Sequence, residues 1–497
     1  MRRLLPLTLA LSLSCGLSCG TLLAQELPPA RTADSAAQRM QYASLEQVLA
    51  DTASSNPRVR RSALLALAVR KSDRGRERIL ACLGDAEAPV RAAAAEALAS
   101  LEDKELGLEL VRRVRDTSEE VRRQAILGLD RLKIDHRAVT EVLLASLRDR
   151  SGSVRELAAK ALANSRSEAA RVSEALLSRA ELDPNTRVAQ QCVRAACELG
   201  RAGEALDRLQ ALYDGGDLAT RRRALAALGP VGPPALPTLW SALNDRGLRT
   251  SAAVGLRAFE LGNLLFQLDV GSSGSGALRA MRDLSKRVDR KDPAMRYAAI
   301  PLGDLALTAV RTTVRREAVR MLAALGNDAL PAASLLGQAL TRKEIAIPAL
   351  DALSAIGPAG IKKALPGLIQ ALETERQDFQ VRVVRLLGEA GPGLGRAGFE
   401  ALETAVQWGD DPVRAAAVGA LGKTTVGGGE SRRAIELLIE SLRLDVDVLV
   451  RAEAAKSLGL FGRSARPAIP HLNEVARTTK SSRLRSAALR AVGAIQR

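Results

Sequence analysis

Asp85-Ala86-Glu87-Ala88-Pro89-Val90-Arg91-Ala92-Ala93-Ala94-Ala95-Glu96-Ala97-Leu98 holds the phrase that decides the fold. It is an acidic turn, a proline, Val-Arg, and then alanine-rich text with no breaker. Alanine and leucine sit at the top of the helix-propensity scale, so the text after Arg91 predicts a helix. Asp85 and Glu87 ahead of Pro89 suit its first turn. Acidic groups favour the positive end of the aligned peptide dipoles, and proline there gives up no needed donor. Just upstream, Ile79, Leu80 and Leu83 share one face of a shorter partner helix over 76–83.

The phrase recurs. Copies stand at Asn56-Pro57-Arg58-Val59-Arg60, Asp116 to Val121-Arg122, Asp149 to Val154-Arg155, Asp183-Pro184 to Arg187, Asp411-Pro412-Val413-Arg414 and Asp445 to Val450-Arg451. Weaker ones are Thr220-Arg221, Leu248-Arg249, Val314-Arg315, Val381-Arg382 and Leu484-Arg485. Arg60, Arg91, Arg122, Arg155, Arg187 and Arg221 are 31, 31, 33, 32 and 34 residues apart. A steady period of this length marks stacked supersecondary units. Thr117-x-x-Glu120 and Ser153-x-x-Glu156 read as capping boxes. Gly229-Pro230, Gly326, Gly357-Pro358, Gly391-Pro392 and Gly462 fall where a left-handed residue or a proline ends a second helix. No alternating apolar–polar run predicts a strand. The expected fold is all-α, an α-solenoid (superhelix) of about 13–14 two-helix repeats.

Composition agrees. Of 497 residues, 47% are apolar but only 2% aromatic. A thick globular core would use rings as filler, whereas thin layers of Ala, Leu and Val do not need them.

These residues resemble the HEAT-repeat superfamily, most closely the bacterial HEAT-like (phycobilisome-lyase-type) repeat proteins, over roughly 43–497. The resemblance implies a solenoid that presents a long surface to partners; the same repeat serves scaffolds, adaptors and a few enzymes. It also implies a hydrogen-bonded ladder, built from an Asp in each intra-repeat turn and an Arg six residues later. Asp85 and Arg91, Asp116 and Arg122, Asp149 and Arg155, and Asp445 and Arg451 match that spacing. Ser54 before Arg60 and Glu181 before Arg187 depart from it, so the ladder is expected to be discontinuous.

Register is lost between about 261 and 313. Asp269-Val270-Gly271-Ser272-Ser273-Gly274-Ser275-Gly276 predicts an exposed flexible loop, followed by a basic helix carrying Arg279, Arg282, Lys286, Arg287, Arg290 and Lys291. A tolerated insertion, a hinge and a partner-binding excursion all fit that text. Gly427-Gly428-Gly429 reads as a loop extension, lacking the Lys-Ser/Thr of a phosphate-binding loop.

Chemistry finds little footing. His136 and His471 are the only histidines and stand 335 residues apart, which leaves little material for a metal centre or a Ser-His-Asp triad and forms no His-Glu iron pair. Cys192 and Cys197, five apart on one helix, read with Cys82 as small buried apolar residues rather than a disulfide framework. No cofactor is expected, and the chain reads as a non-enzyme.

Charge points to partners. Lys and Arg total 73 against 56 acidic residues. Arg60-Arg61, Arg122-Arg123, Arg221-Arg222-Arg223 and Arg315-Arg316 all open second helices, which would line a concave face. Arg221, Arg222 and Arg223, with the cations of 279–291, are the candidate partner contacts. The paucity of aromatics argues against nucleic acid. The reading is a monomeric scaffold or adaptor that binds a partner protein, acidic if the arginines engage it, along the concave face. The alternative is an anion-binding or membrane-surface adaptor using the same arginines.

Arg2 and Arg3 followed by the uncharged stretch 4–24 read as a signal peptide. That places the mature protein in the periplasm or cell envelope, with secretion, a retained N-terminal membrane anchor or lipidation at Cys15 or Cys19 as other routes. The expected organisation is 1–24 signal peptide, 25–42 flexible linker, 43–260 N-terminal repeats, 261–313 irregular repeat and 314–497 C-terminal repeats.

Overall fold

A computed structural model describes residues 43–497, apart from 270–273, 375, 393 and 425–429. The expected signal peptide (1–24), the linker (25–42) and the triple glycine at 427–429 lie outside the described residues. So does the middle of the predicted loop at 269–276.

Every repeat phrase becomes a short or broken first helix, a turn, and a second helix whose fourth residue is the phrase's arginine in most units. Ala88–Ser100 carries Arg91 there, and Pro57–Arg70, Gly152–Leu162 and Asp411–Thr424 carry Arg60, Arg155 and Arg414. Among the described residues there are fourteen such helix pairs and no strand. The chain is thus an all-α solenoid of two-helix repeats.

Contacts divide it at Leu132 into two compact units. The first holds Leu45–Asp51 with Pro57–Arg70, Asp73–Cys82 with Ala88–Ser100, and Lys104–Gly107 and Leu110–Arg113 with Glu119–Leu132. The second runs from Arg137–Ser146 with Gly152–Leu162 to Ile469–Thr478 with Ser482–Gln496. Within each unit, second helices pack on second helices, as Ala88–Ser100 does on Glu119–Leu132 and Asp411–Thr424 on Val448–Leu460. Small side chains allow this close approach. Val90, Ala94, Leu98 and Ile126 are fully buried in the first unit, as are Ala417, Leu421, Ala454 and Leu458 in the second.

Some local expectations need correction. Ser153 does not open a capping box: the helix starts a turn position earlier at Gly152, and Ser151 caps it by accepting from the Val154 amide. Gly326, Gly357, Gly391 and Gly462 do take positive φ, but Gly229 does not. Gly229 is needed for proximity instead, since a Cβ there would lie 2.6 Å from the Gly255 carbonyl oxygen.

The irregular stretch is a further helix pair. Glu260–Asp269 packs on Gly274–Asp289, and the latter on Thr312–Leu325. Gly274, Ser275 and Gly276 begin the basic helix rather than belong to a loop. Across the insertion, Trp240 Nε1 donates to Asp304 Oδ2 at 2.8 Å, tying the first-helix segment Leu236–Ser241 directly to Ala299–Thr308. No helix of the described residues is long and apolar enough to cross a membrane.

Candidate functional site

The ladder forms, but its partners are not the ones that the six-residue spacing suggests. Arg91 donates through Nε and Nη2 to both oxygens of Asp116, each at 2.8 Å, and Asp116 belongs to the next unit. Arg60 grips Asp85 in the same way at 2.9 and 2.8 Å, Arg155 grips Asp183 at 2.7 and 3.0 Å, and Arg414 grips Asp445 at 2.9 Å twice. The residue six before the arginine offers only its backbone carbonyl: Arg91 Nη1 donates to Asp85 O at 2.9 Å, Arg122 to Asp116 O at 3.1 Å and Arg155 to Asp149 O at 2.9 Å. A carbonyl needs no particular side chain. That is why Arg60 joins the ladder over Ser54, and Arg315 over Ala309.

Each aspartate also shapes its own turn. Asp85, Asp116, Asp149, Asp183 and Asp445 accept from the amide two residues on, at 2.8 to 2.9 Å. Burial alone would raise the Asp116 carboxyl, but the Arg91 guanidinium and the Ser118 amide hold it below the usual carboxylate range. The same balance lowers Asp85, Asp183 and Asp445.

Toward the C-terminus the pattern changes. Arg451 Nε donates to the Leu442 carbonyl at 2.9 Å and Arg485 Nε to the Ala476 carbonyl at 3.3 Å, each nine residues upstream, in place of a carboxylate. In the unit before Arg414, the fourth residue of the second helix is Gln380 and not the Arg382 suggested by the sequence phrase. Gln380 Nε2 donates to the Leu372 and Thr374 carbonyls at 2.9 and 2.7 Å, whereas Arg382 turns outward to Asp351 at 3.2 Å.

The candidate partner contacts separate into two sets. Arg221 stacks over Tyr213 at 5.0 Å, Arg222 donates to the Gly247 carbonyl at 2.7 Å, and Arg223 donates to Thr220 Oγ1 at 3.0 Å. Arg287 is held by Glu260 and by Asp292. Arg279, Arg282, Arg290 and Lys291 are exposed, as is Lys286, which lies 3.5 Å from Asp283. His136 Nδ1 accepts from the Ala138 amide at 3.1 Å and caps its helix. Burial pushes the Cys192 and Cys197 thiols up to about 12 and about 11, which leaves them protonated and unreactive at neutral pH.

A surface that composition could not reveal lies on the second helices. In the first unit a cleft of about 350 Å³ is floored by Pro89, Ala92 and Ala93 and walled by Glu96, Ser118, Glu120 and Gln124. In the second, a cleft of about 660 Å³ is floored by Pro412, Ala415 and Ala416 and walled by Gly419, Asp447, Leu449 and Glu453. Counted from Arg91 and Arg414, and from Arg122 and Arg451, these are the same repeat positions. Small residues at the first and second places after the arginine leave the groove, and the places around it vary in charge. Arg61 adds a cation to the smaller cleft, and Arg385, Lys423 and Arg483 add three to the larger.

A family profile described as HEAT repeats matches residues 107–172, 173–257, 365–459 and 409–493, more than half of the chain. No curated protein matches. Among solved structures, the chain is similar to the complex of CpcE and CpcF of phycocyanin lyase from Nostoc sp. PCC7120, at 22% identity over 52% of this chain and 98% of that one, with a TM-score of 0.29. It is also similar to the Kap95:Nup1 complex, at 14% identity over 93% of this chain and 74% of that one, with a TM-score of 0.39.

Proposed function

The chain belongs to the HEAT-repeat family, and from that premise we propose that it is a non-catalytic, exported scaffold that binds a partner protein along its second-helix face. The observation that carries the reading is the recurrence of one groove in one repeat register, around Ala92–Ala93 and again around Ala415–Ala416. A surface that returns in the same repeat register suits an extended partner that makes several weak contacts. The variable wall positions, Glu96 against Gly419 and Glu120 against Leu449, supply selectivity.

The anionic alternative rests on the exposed cations of the helix Gly274–Asp289 with Arg290 and Lys291, and on Arg385, Lys423 and Arg483 at the larger cleft, while Arg221, Arg222, Arg223 and Arg287 have partners within the fold. Export rests on Arg2, Arg3 and the uncharged stretch that follows.

Cross-linking of the full chain in envelope extracts tests the reading. Gly419→Trp fills the groove, and Arg432→Trp places the same ring at a site 95% exposed on a first helix. Loss of cross-linked partners with the first and their retention with the second is the expected result. An unchanged partner set in Gly419→Trp overturns the groove as the binding face.

A further inference from the structure

Among the rungs that lack both the arginine and the aspartate, the one at Gln380 opens a cleft. Gln380 occupies the fourth position of the helix Gln377–Glu389, where Arg60, Arg91, Arg155, Arg315 and Arg414 stand in theirs. In the next unit Trp408 lies six residues before Arg414, at the place of Asp85, Asp116 and Asp445. Where the units of Arg60, Arg91, Arg155 and Arg414 put a guanidinium against two carboxylate oxygens, a cleft of about 450 Å³ opens, lined by Gln380, Trp408, Asp410, Glu373 and Thr404. Trp408 is 82% exposed at the end of its helix.

The chemistry of the opening is specific. Glu373 and Asp410 stand at its rim, and among the described residues neither has an ion-pair partner. The Asp410 carboxylate accepts only from Gln377, at 3.2 Å. In a chain with 73 basic residues against 56 acidic ones, this is a locally acidic hollow beside an aromatic face. A guanidinium satisfies all of it: planar donors for the carboxylates and a cation to stack on the indole.

We propose that this vacancy is a docking pocket for an arginine side chain from a basic segment of a partner protein, which completes the missing rung from outside. The pocket lies among first-helix ends and turns, apart from the groove around Ala415–Ala416. Either binding surface can therefore fail without the other.

Trp408 makes the test direct, because the only other tryptophan, Trp240, is buried and bonded to Asp304. The full-length protein is titrated with the peptides acetyl-Gly-Arg-Gly-Arg-Gly-amide and acetyl-Gly-Glu-Gly-Glu-Gly-amide, following tryptophan emission and acrylamide quenching. The arginine peptide is expected to blue-shift the emission and protect Trp408, and Glu373→Gln with Asp410→Asn to weaken its binding at least about tenfold. Trp408→Phe removes the signal. Gln380→Arg, which restores the residue type of the other rungs, is expected to abolish the response by filling the pocket from within. Equal responses to both peptides, or full affinity in the double variant, overturn the proposal. Protection already present without peptide overturns it as well: if it rises with protein concentration the occupant is a second copy, and if it does not the occupant is this chain's own N-terminal segment.

Discussion

Asp183 receives Arg155 from the preceding unit at 2.7 and 3.0 Å, Arg179 from the helix that it caps at 2.7 Å and the Asn185 amide at 2.9 Å, with its side chain wholly buried. One carboxylate thus closes a turn and joins two repeats. Asp183→Ala leaves Arg155 charged, desolvated and without its carboxylate, which should cost about 3–5 kcal/mol. Urea denaturation followed by circular dichroism measures it. Replacing both residues together, Asp183→Leu with Arg155→Met, should cost much less, because no buried charge is then orphaned.

Acid should loosen the solenoid in a narrow window. Asp85, Asp116, Asp183 and Asp445 titrate below the 3.8 of a free aspartate. A carboxyl depressed on folding contributes stability that is fully present above its unfolded pKa and is lost as pH falls through the folded value. The melting temperature is therefore expected to hold level down to about pH 5 and to drop below about pH 4. Asp116→Asn should flatten that drop; a melting profile that declines evenly between pH 8 and 5 would contradict the assignment.

Trp240→Phe deletes the N–H that reaches Asp304 across the inserted helix pair. A hydrogen bond to a charged group contributes about 1.5–3 kcal/mol. Amide hydrogen exchange should accelerate in Ala299–Thr308 more than in Val448–Leu460, which the bond does not touch.

Gly367 faces Gly337 so closely that a Cβ on it would lie 2.3 Å from the Gly337 carbonyl carbon. Backbone cannot swing aside as a side chain can. Gly367→Ala should destabilise by about 1–3 kcal/mol or more through forced separation of the two first helices. Gly203→Ala, where nothing lies within 4 Å, is the matched control and should be neutral or stabilising. Thermal melts of both variants decide it.

Helices and period were readable because each unit repeats the same local demands: a capping turn, a Val-Arg opening and alanine text. The ladder was half readable. Spacing identifies the arginine and the turn, but the acid that the arginine binds comes from the following unit, a relation that no single repeat contains. Asp183 shows the difficulty: it stands four residues before Arg187, so its link to Arg155, 28 residues upstream, is visible only once the layers are stacked. The basic helix at 274–289 was legible from its charge, while its seat in the stack was not, since the glycines before it read as a loop and instead start the helix. Trp408 passed unnoticed among ten aromatics because its meaning depends on the aspartate that it replaces.

The direction of the ladder has a consequence for synthesis. Arg60, Arg91, Arg155 and Arg414 each precede their carboxylates by 25 to 31 residues, so every rung stays open until the next unit has been translated. During translation each of these four units carries an unanswered guanidinium until the next one emerges, and closure travels with the ribosome along the chain. A pause between two repeats leaves one such arginine waiting. Arg451 and Arg485 settle instead on backbone carbonyls that precede them in the chain, so their bonds can close as soon as they emerge.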